Sequence, residues 1–287
     1  MVLLQAHLPP HDGQLHQKAP CKIQPPWPQK HQPLPHKHHK MNYGAKTQYT
    51  PNADDSTKLD EKSIKRVQGS VGDMLYYARA VNTKLLFSFR KIGSQQTGVT
   101  ENTNEAIAWI LKNVSTYPND GITRQARDMI LAGHFDSAHL NALKARSQDR
   151  AHIFLSKYDP VPWLNLSILT ITQIIKFVMA SAAEAEFVGL FITAKEMVPI
   201  QQTLIEMGWP QPKTPIQTDN STASGVTRNT IKKRQLKSTD MQLWWLRCRA
   251  AQYKFRFFLG PGQSNKGNFS TKHHPPLYHE SKQSIHE

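Results

Sequence analysis

The sequence predicts an α/β domain, a mixed sheet flanked by helices, preceded by a small helical subdomain and a disordered Pro/His-rich N-terminal tail. Three observations lead there. Three stretches of the second half set an acidic residue at the end of an apolar run or the start of a helix. They are His134-Phe135-Asp136-Ser137, Ser181-Ala182-Ala183-Glu184-Ala185-Glu186 and Pro215-Ile216-Gln217-Thr218-Asp219-Asn220. Between and around them the patterns read strands, long helix, strand, helices, strand, the order of a sheet with helices packed on it. Finally, half of the 14 histidines and nine of the 19 prolines lie in residues 1–51, so the ordered domain begins after them.

Residues 1–60 form the expected tail. Pro9-Pro10, Pro25-Pro26 and Pro28 punctuate it, apolar periodicity is low, and such a segment buries too little surface to offset its ordering entropy. His36-Lys37-His38-His39 has no Cys or carboxylate at ligand spacing and does not read as a metal site. Residues 61–127 form the helical subdomain. Ile64, Val67, Val71, Leu75 and Ala78 recur every three or four residues, as do Ile107, Ile110, Leu111 and Val114 in a second helix over about 101–115. Thr116 to Gly121 reads as a turn.

Residues 128–275 form the α/β domain, and 276–287 a polar tail. Strands are expected at Met129–Phe135, His152–Ser156 and Trp163–Leu169. A long helix is expected over 181–207, a strand from Ile216 to Asp219, and a short helix from Ser221. A further helix spans about 239–254, and Phe255–Leu259 closes as a strand. Pro199 falls inside the long helix, where a proline costs about 3 kcal/mol and kinks the chain.

The formal net charge is +15 and the pI about 9.8, which favours an anionic partner, nucleic acid first. Apolar content is 38%, below the globular average, consistent with a chain partly outside any core. Cys21 and Cys248 make no disulfide framework, so an intracellular setting, cytoplasmic or nuclear, is expected. Met1–Leu4 is too short for a signal-peptide core. Trp163–Ala183 is broken by Asn165, Ser167, Thr170, Gln173 and Lys176, so no membrane span is expected.

Hydrolysis of a phosphodiester at neutral pH needs an activated water and stabilisation of developing negative charge. Two Mg²⁺ ions about 4 Å apart supply both, and Mn²⁺ is the alternative pair. Such ions take hard oxygen ligands, so three or four clustered carboxylates suffice. Asp136 mid-strand, Asp219 at the end of the adjacent strand and Glu186 on the first turns of the long helix can converge. Each acid also has an ordinary reading. Glu184 and Glu186 suit a helix N-terminus, Asp219 suits an N-cap, and Asp136 can close a turn. Substrate contacts should be cationic. Arg228, Lys232, Lys233, Arg234 and Lys237 follow the third acid within ten residues and suit phosphate neutralisation, or a solvated loop. Lys144 and Arg146 are weaker candidates of the same kind.

With these residues in view, a family resemblance emerges. Val71 to Val81 and Gly44 to Tyr49 resemble the segment joining polymerase to ribonuclease H in copia-like LTR retrotransposon polyproteins. Ser181–Glu186, Thr214–Asn220 and Thr271-Lys272-His273 are similar to that family's ribonuclease H motifs. The resemblance covers roughly residues 40–275. It implies a ribonuclease H-like fold, an upstream polymerase domain in a parent polyprotein, and degradation of the RNA strand of RNA–DNA hybrids. Asp136, Glu186 and Asp219 occupy its first three acidic positions, with Glu186 preferred to Glu184 because Phe187 follows it. The fourth falls at Asn268, whose amide oxygen can ligate a cation but carries no charge. Gly260 stands where a His is frequent. No Tyr-x-Asp-Asp motif is present, and Asp54-Asp55 does not substitute for it. Together with Pro199, these departures imply a folded nuclease with a weak or disabled site. The alternatives are a non-cleaving binding module for hybrids or duplexes, and a relic that fails to fold cooperatively.

Overall fold

The computed structural model describes residues 32–37, 54–121, 124–142, 146–221, 225, 240–262 and 264–269. These fall into two compact units, residues 32–37 with 54–121, and the described residues from Arg124 onward. Gly44–Tyr49, Lys144, the Arg228–Lys237 run, Thr271–His273 and the tail from 276 lie outside the described residues.

The first unit is helical. Helix α1 (Glu61–Ala80) leads through a 3₁₀ turn (Thr83–Leu85) to α2 (Leu86–Gly93) and then α3 (Glu101–Thr116). Asp60 caps α1 by accepting from Ser63 N, and Glu61 suits the positive end of the helix. Thr100 and Thr103 form a reciprocal capping box on α3. Val67, Val71, Leu85, Phe89, Ile92, Ile107 and Ile110 make one core. Helix α2 was not foreseen. The Leu85-Leu86-Phe87-Ser88-Phe89 run that leads into it is apolar without a clear period, and burial of Leu86, Phe89 and Ile92 against the flanking helices decides its conformation.

Two pieces of the expected tail are ordered. Residues 32–37 pack on α3 (below). Asp54, set aside in the sequence, accepts from Ser56 N (3.1 Å), Ser56 Oγ (2.7 Å), Asn102 Nδ2 (2.8 Å) and the Thr100 hydroxyl. Burial pushes its carboxyl up, but these hydrogen bonds outweigh that and hold it at about 2. It therefore anchors the chain ahead of α1 to the start of α3.

The second unit holds β1 (Ile130–Ala142), β2 (Arg146–Ser156), β3 (Ser167–Ile174), α4 (Ala182–Glu206), β4 (Thr214–Thr218), α5 (Asp240–Ala251), β5 (Phe255–Leu259) and the single turn α6 (Lys266–Phe269). The sheet order is β3-β2-β1-β4-β5. Strands β1, β2 and β3 pair antiparallel, while β4 is parallel to β1 and β5 parallel to β4. The unit is therefore α/β, a mixed five-stranded sheet with helices packed on it. Leu131, Phe135, Ile153, Ile216, Phe255 and Phe257 of the sheet pack with Leu190, Ala194 and Met197 of α4.

Strand β3 lies later than the expected Trp163–Leu169. Asn165 is the cause. Its Nδ2 donates to Leu155 O (3.0 Å) and Gln125 O (2.8 Å), while its Oδ1 accepts from Gln125 N (3.1 Å) and Leu166 N (2.9 Å). The side chain commits residues 163–166 to a loop, and the ladder begins at Ser167.

Helix α4 runs through Pro199 without ending. Proline removes the donor for the Lys195 carbonyl, and both Lys195 and Pro199 are exposed, so water can replace it. The replacement still costs stability. Pro199→Ala is expected to raise unfolding free energy by about 2 kcal/mol, the helix penalty of proline less its restriction of the unfolded chain. The readout is a higher urea midpoint at unchanged m-value. An unchanged or lower midpoint would show that proline carries no penalty here.

Candidate metal centre

Asp136, Glu186 and Asp219 reach one point by three separate routes. Asp136 lies within β1, directly opposite Arg150 of β2. Strand β4 pairs in parallel with β1 through Gly133–Ile216 and His134–Gln217 and ends at Thr218, so Asp219 emerges beside β1 just past the ladder. Helix α4 is started by Ser181, whose side chain accepts from Glu184 N (3.2 Å), and Glu186 follows in its first turns. One carboxylate oxygen from each of the three acids lies within 4.8 Å of the others. Asp136 and Glu186 are buried and Asp219 is half-buried.

Glu184, the other acid of the second stretch, is not in this cluster. Its carboxylate accepts from Ala180 N (2.7 Å) and closes the turn before α4. That is the helix-start role, and it leaves Glu186 facing the sheet.

The approach of α4 to the strands depends on Gly189. A Cβ there would lie 2.1 Å from Ser137 Oγ and 2.7 Å from Asp149 Oδ1. Asp149 is a further buried acid beside them that sequence reasoning missed. It sits on β2 opposite Ser137 and is fully buried, with Gln173 Nε2 at 3.5 Å from its Oδ2. Its only sequence signal was an Asp inside an otherwise sheet-forming run.

Electrostatics follow from this crowding. Glu186 accepts from Ser137 N through Oε1 at 3.4 Å. Among the described residues, its Oε2 and Asp136 Oδ2 are buried without a hydrogen-bond partner. Burial first, then the charges of Asp136 and Asp219 and, more weakly, Asp149, push the Glu186 carboxyl well above the usual range. Buried polar atoms are normally satisfied, so two orphaned carboxylate oxygens facing a third acid fit a hard divalent cation.

The expected fourth position lies close by in the backbone. Asn265 Nδ2 donates to Phe135 O (2.7 Å), and Lys266 N donates to His134 Nδ1 (3.3 Å). These bonds dock α6 on β1. A Cβ on Gly267 would stand 2.7 Å from Asp136 N, so α6 approaches Asp136 as closely as a glycine allows. Asn268 is the next residue of this turn; its side chain is outside the described set. Gly260, where a His was noted as frequent, instead accommodates Gln217. A Cβ there would be 2.5 Å from the Gln217 amide, which reaches towards Pro261 O and Ser264 Oγ. Arg146 begins β2 and is exposed.

Beside the acids lie two buried histidines, paired across β1 and β2, which the sequence had not singled out. His152 Nε2 lies 2.9 Å from Asn165 O, which makes Nε2–H the donor. Burial, then mutual proximity and Lys266, hold His134 at about 3. Burial, with Lys266 adding to it, holds His152 at about 4 against its bond to Asn165. Both are neutral in the fold, so the unfolded chain takes up protons first as pH drops. The stability they confer is complete above about 6.5 and is lost as pH falls through about 4 for His152 and about 3 for His134. Thermal unfolding from pH 7 to 5 should show a steep fall in Tm, and His152→Gln should flatten it. Equal slopes in the two proteins would exclude this source of acid sensitivity.

No protein-family model matches the chain. It is similar to the retrovirus-related Pol polyprotein from transposon TNT 1-94 of Nicotiana tabacum, 24% identical over 143 residues, which is 50% of this chain. The chain spans only 10% of that polyprotein's length. Among solved structures, an N-terminal RNase H domain from Mycobacterium tuberculosis superposes with a TM-score of 0.34 and 12% identity, covering 49% of this chain and 86% of that one. RNase H1 of Halobacterium salinarum gives 0.30 and 14%, covering 49% and 90%. The protease–reverse transcriptase of prototype foamy virus gives 0.29 and 9%, covering 58% and 22%. Among the described residues, no helix is long and apolar enough to cross a membrane.

Proposed function

We propose that the second unit is a ribonuclease H-type nuclease domain of a copia-like retroelement polyprotein, hydrolysing the RNA strand of RNA–DNA hybrids with divalent metal ions. The observation that carries this is the convergence of Asp136, Glu186 and Asp219, with two of their buried oxygens lacking a hydrogen-bond partner among the described residues. Asp136, Glu186 and Asp219 would hold the ions, Mg²⁺ or Mn²⁺, with Asn268 as a weakened fourth ligand. When bound, such ions supply an activated water and stabilise charge on the phosphate. The chain's own residues fix where that happens. Strand pairing holds Asp136 and Asp219 side by side, and Ser137 N–H fixes one oxygen of Glu186. Arg228, Lys232, Lys233, Arg234 and Lys237 would neutralise backbone phosphates of the duplex. An upstream polymerase domain in the parent polyprotein is the natural partner.

The test is cleavage of a labelled RNA–DNA hybrid with Mg²⁺ by the unaltered chain and by Asp136→Asn. The substitution keeps size and removes charge, and cleavage should fall by roughly a thousandfold or to background. Undiminished cleavage by Asp136→Asn would remove Asp136 from the site. One residue favours a second reading. Neutral Asn268 lowers the ligand charge of the site, which suits a module that holds hybrids without cutting them. Its signature is salt-sensitive binding with no Mg²⁺-dependent turnover.

A further inference from the structure

The first unit carries a surface unrelated to the acids. Residues Gln32-Pro33-Leu34-Pro35-His36-Lys37 lie along α3, antiparallel to it. Asn113 Nδ2 donates to Gln32 O (2.8 Å), and Gln32 N donates to Thr116 Oγ1 (3.2 Å). One step along, Trp109 Nε1 donates to Leu34 O (3.0 Å). At the far end, Lys37 Nζ pairs with Glu105 (2.8 Å) and lies 6.0 Å from the Trp109 ring centre. Leu34 is 3% exposed, and the His36 ring meets Phe87 edge-on at 5.5 Å.

The spacing explains why this peptide fits this helix. Glu105, Trp109 and Asn113 recur at i, i+4, so successive groups stand about 6 Å apart along α3. An extended chain advances about 6–7 Å in two residues. Carbonyls of alternate residues, Gln32 and Leu34, therefore meet successive donors. Proline at 33 and 35 removes N–H groups from the residues between and restricts the segment towards an extended form before it docks, which lowers the entropy lost on seating. Asn113 is 5% exposed, and an amide so buried needs a partner; Gln32 O is that partner.

We propose that the face of α3 bearing Glu105, Trp109, Asn113 and Thr116 is a recognition site for an extended Pro-x-Pro peptide, and that the chain's own Gln32–Lys37 segment is its releasable ligand. Specificity comes from the apolar residue between the prolines, from the two carbonyl acceptors, and from a cation three residues after the leucine. The exposed Lys37–Glu105 pair tunes register more than affinity. The site thereby ties residues 32–37 to the helical unit, independently of the second unit's function.

The probe is a fluorescein-labelled synthetic peptide with the sequence of residues 30–39, titrated against the full chain and against full-length Leu34→Asp, which vacates the site. Binding should be at least tenfold tighter to Leu34→Asp than to the unaltered chain, where the segment is seated. Adding Asn113→Leu to Leu34→Asp should weaken it at least tenfold, and a peptide with Ala at both prolines should bind several-fold more weakly. Equal binding to the unaltered chain, or indifference to Asn113→Leu, would overturn the proposal. A second measurement does not depend on Leu34→Asp folding. In the unaltered chain the Trp109 indole N–H should exchange with solvent at least tenfold more slowly than in Leu34→Ala. An indole exchanging at the rate of free tryptophan overturns the proposal, as does a dimer that exchanges the segment between copies.

Discussion

Glu186→Gln is expected to make the cation-free protein more stable at pH 7, by about 2 kcal/mol or roughly 4 °C in Tm, while removing most of the stabilisation by Mg²⁺. The cause is the crowding of Glu186 with Asp136, Asp219 and Asp149, which holds its carboxyl well above the ordinary value. A raised carboxyl binds a proton in the fold after the unfolded chain has released it. Its stability contribution is full below about 4.5 and is lost as pH rises to the raised value. The histidine pair acts in the opposite sense, losing stability as pH falls below about 6.5. Glutamine removes the first penalty and keeps the second, so the variant should gain most at neutral and alkaline pH and little near pH 4.5. A cation at a hundred times its Kd adds about 2.7 kcal/mol to a protein that binds it only when folded. The unaltered chain should show such a rise with Mg²⁺ or Mn²⁺, and the glutamine variant a much smaller one. Destabilisation by Glu186→Gln without cation would mean that the carboxylate is satisfied by groups other than a metal.

The sequence carried the sheet and the acids because both obey short-range rules. Asp136, Glu186 and Asp219 each sit where an apolar run meets a polar residue, and long-range pairing of β1 with β4 brings the first and third together. What it did not carry depends on side chains that meet across the fold. Asn165 displaces β3 through four hydrogen bonds to residues ten to forty positions away or next door, and no periodicity encodes that. Asp149 lay outside the expected strands and His152 read as an ordinary strand residue until Gly189 and His134 are placed against them. Asp54 lay in a polar stretch, and its partners Thr100 and Asn102 sit at the start of α3, far along the chain. The Gln32–Lys37 segment was read as tail because local composition says nothing of the donors on α3 that receive it.

Asn268→Asp should have two effects of opposite sign, and their combination separates a metal site from a structural polar cluster. Gly267 places α6 against the backbone of Asp136, and residue 268 is the next residue of that turn. Without cation, a fourth carboxylate there adds repulsion to a cluster whose crowding already raises the Glu186 carboxyl, and Tm should fall by a few degrees. With cation, each added anionic ligand strengthens binding of a hard divalent ion, so the midpoint for Mg²⁺ should drop by about tenfold or more. Cleavage of an RNA–DNA hybrid at limiting Mg²⁺ should rise in step, or appear where the unaltered chain shows none. Glu186→Gln gives the mirror image, higher cation-free stability with weaker cation response. If Asn268→Asp lowered stability with and without Mg²⁺ alike, and cleavage did not change, residue 268 would lie outside the cation's reach. The three remaining acids would then have to carry the chemistry alone.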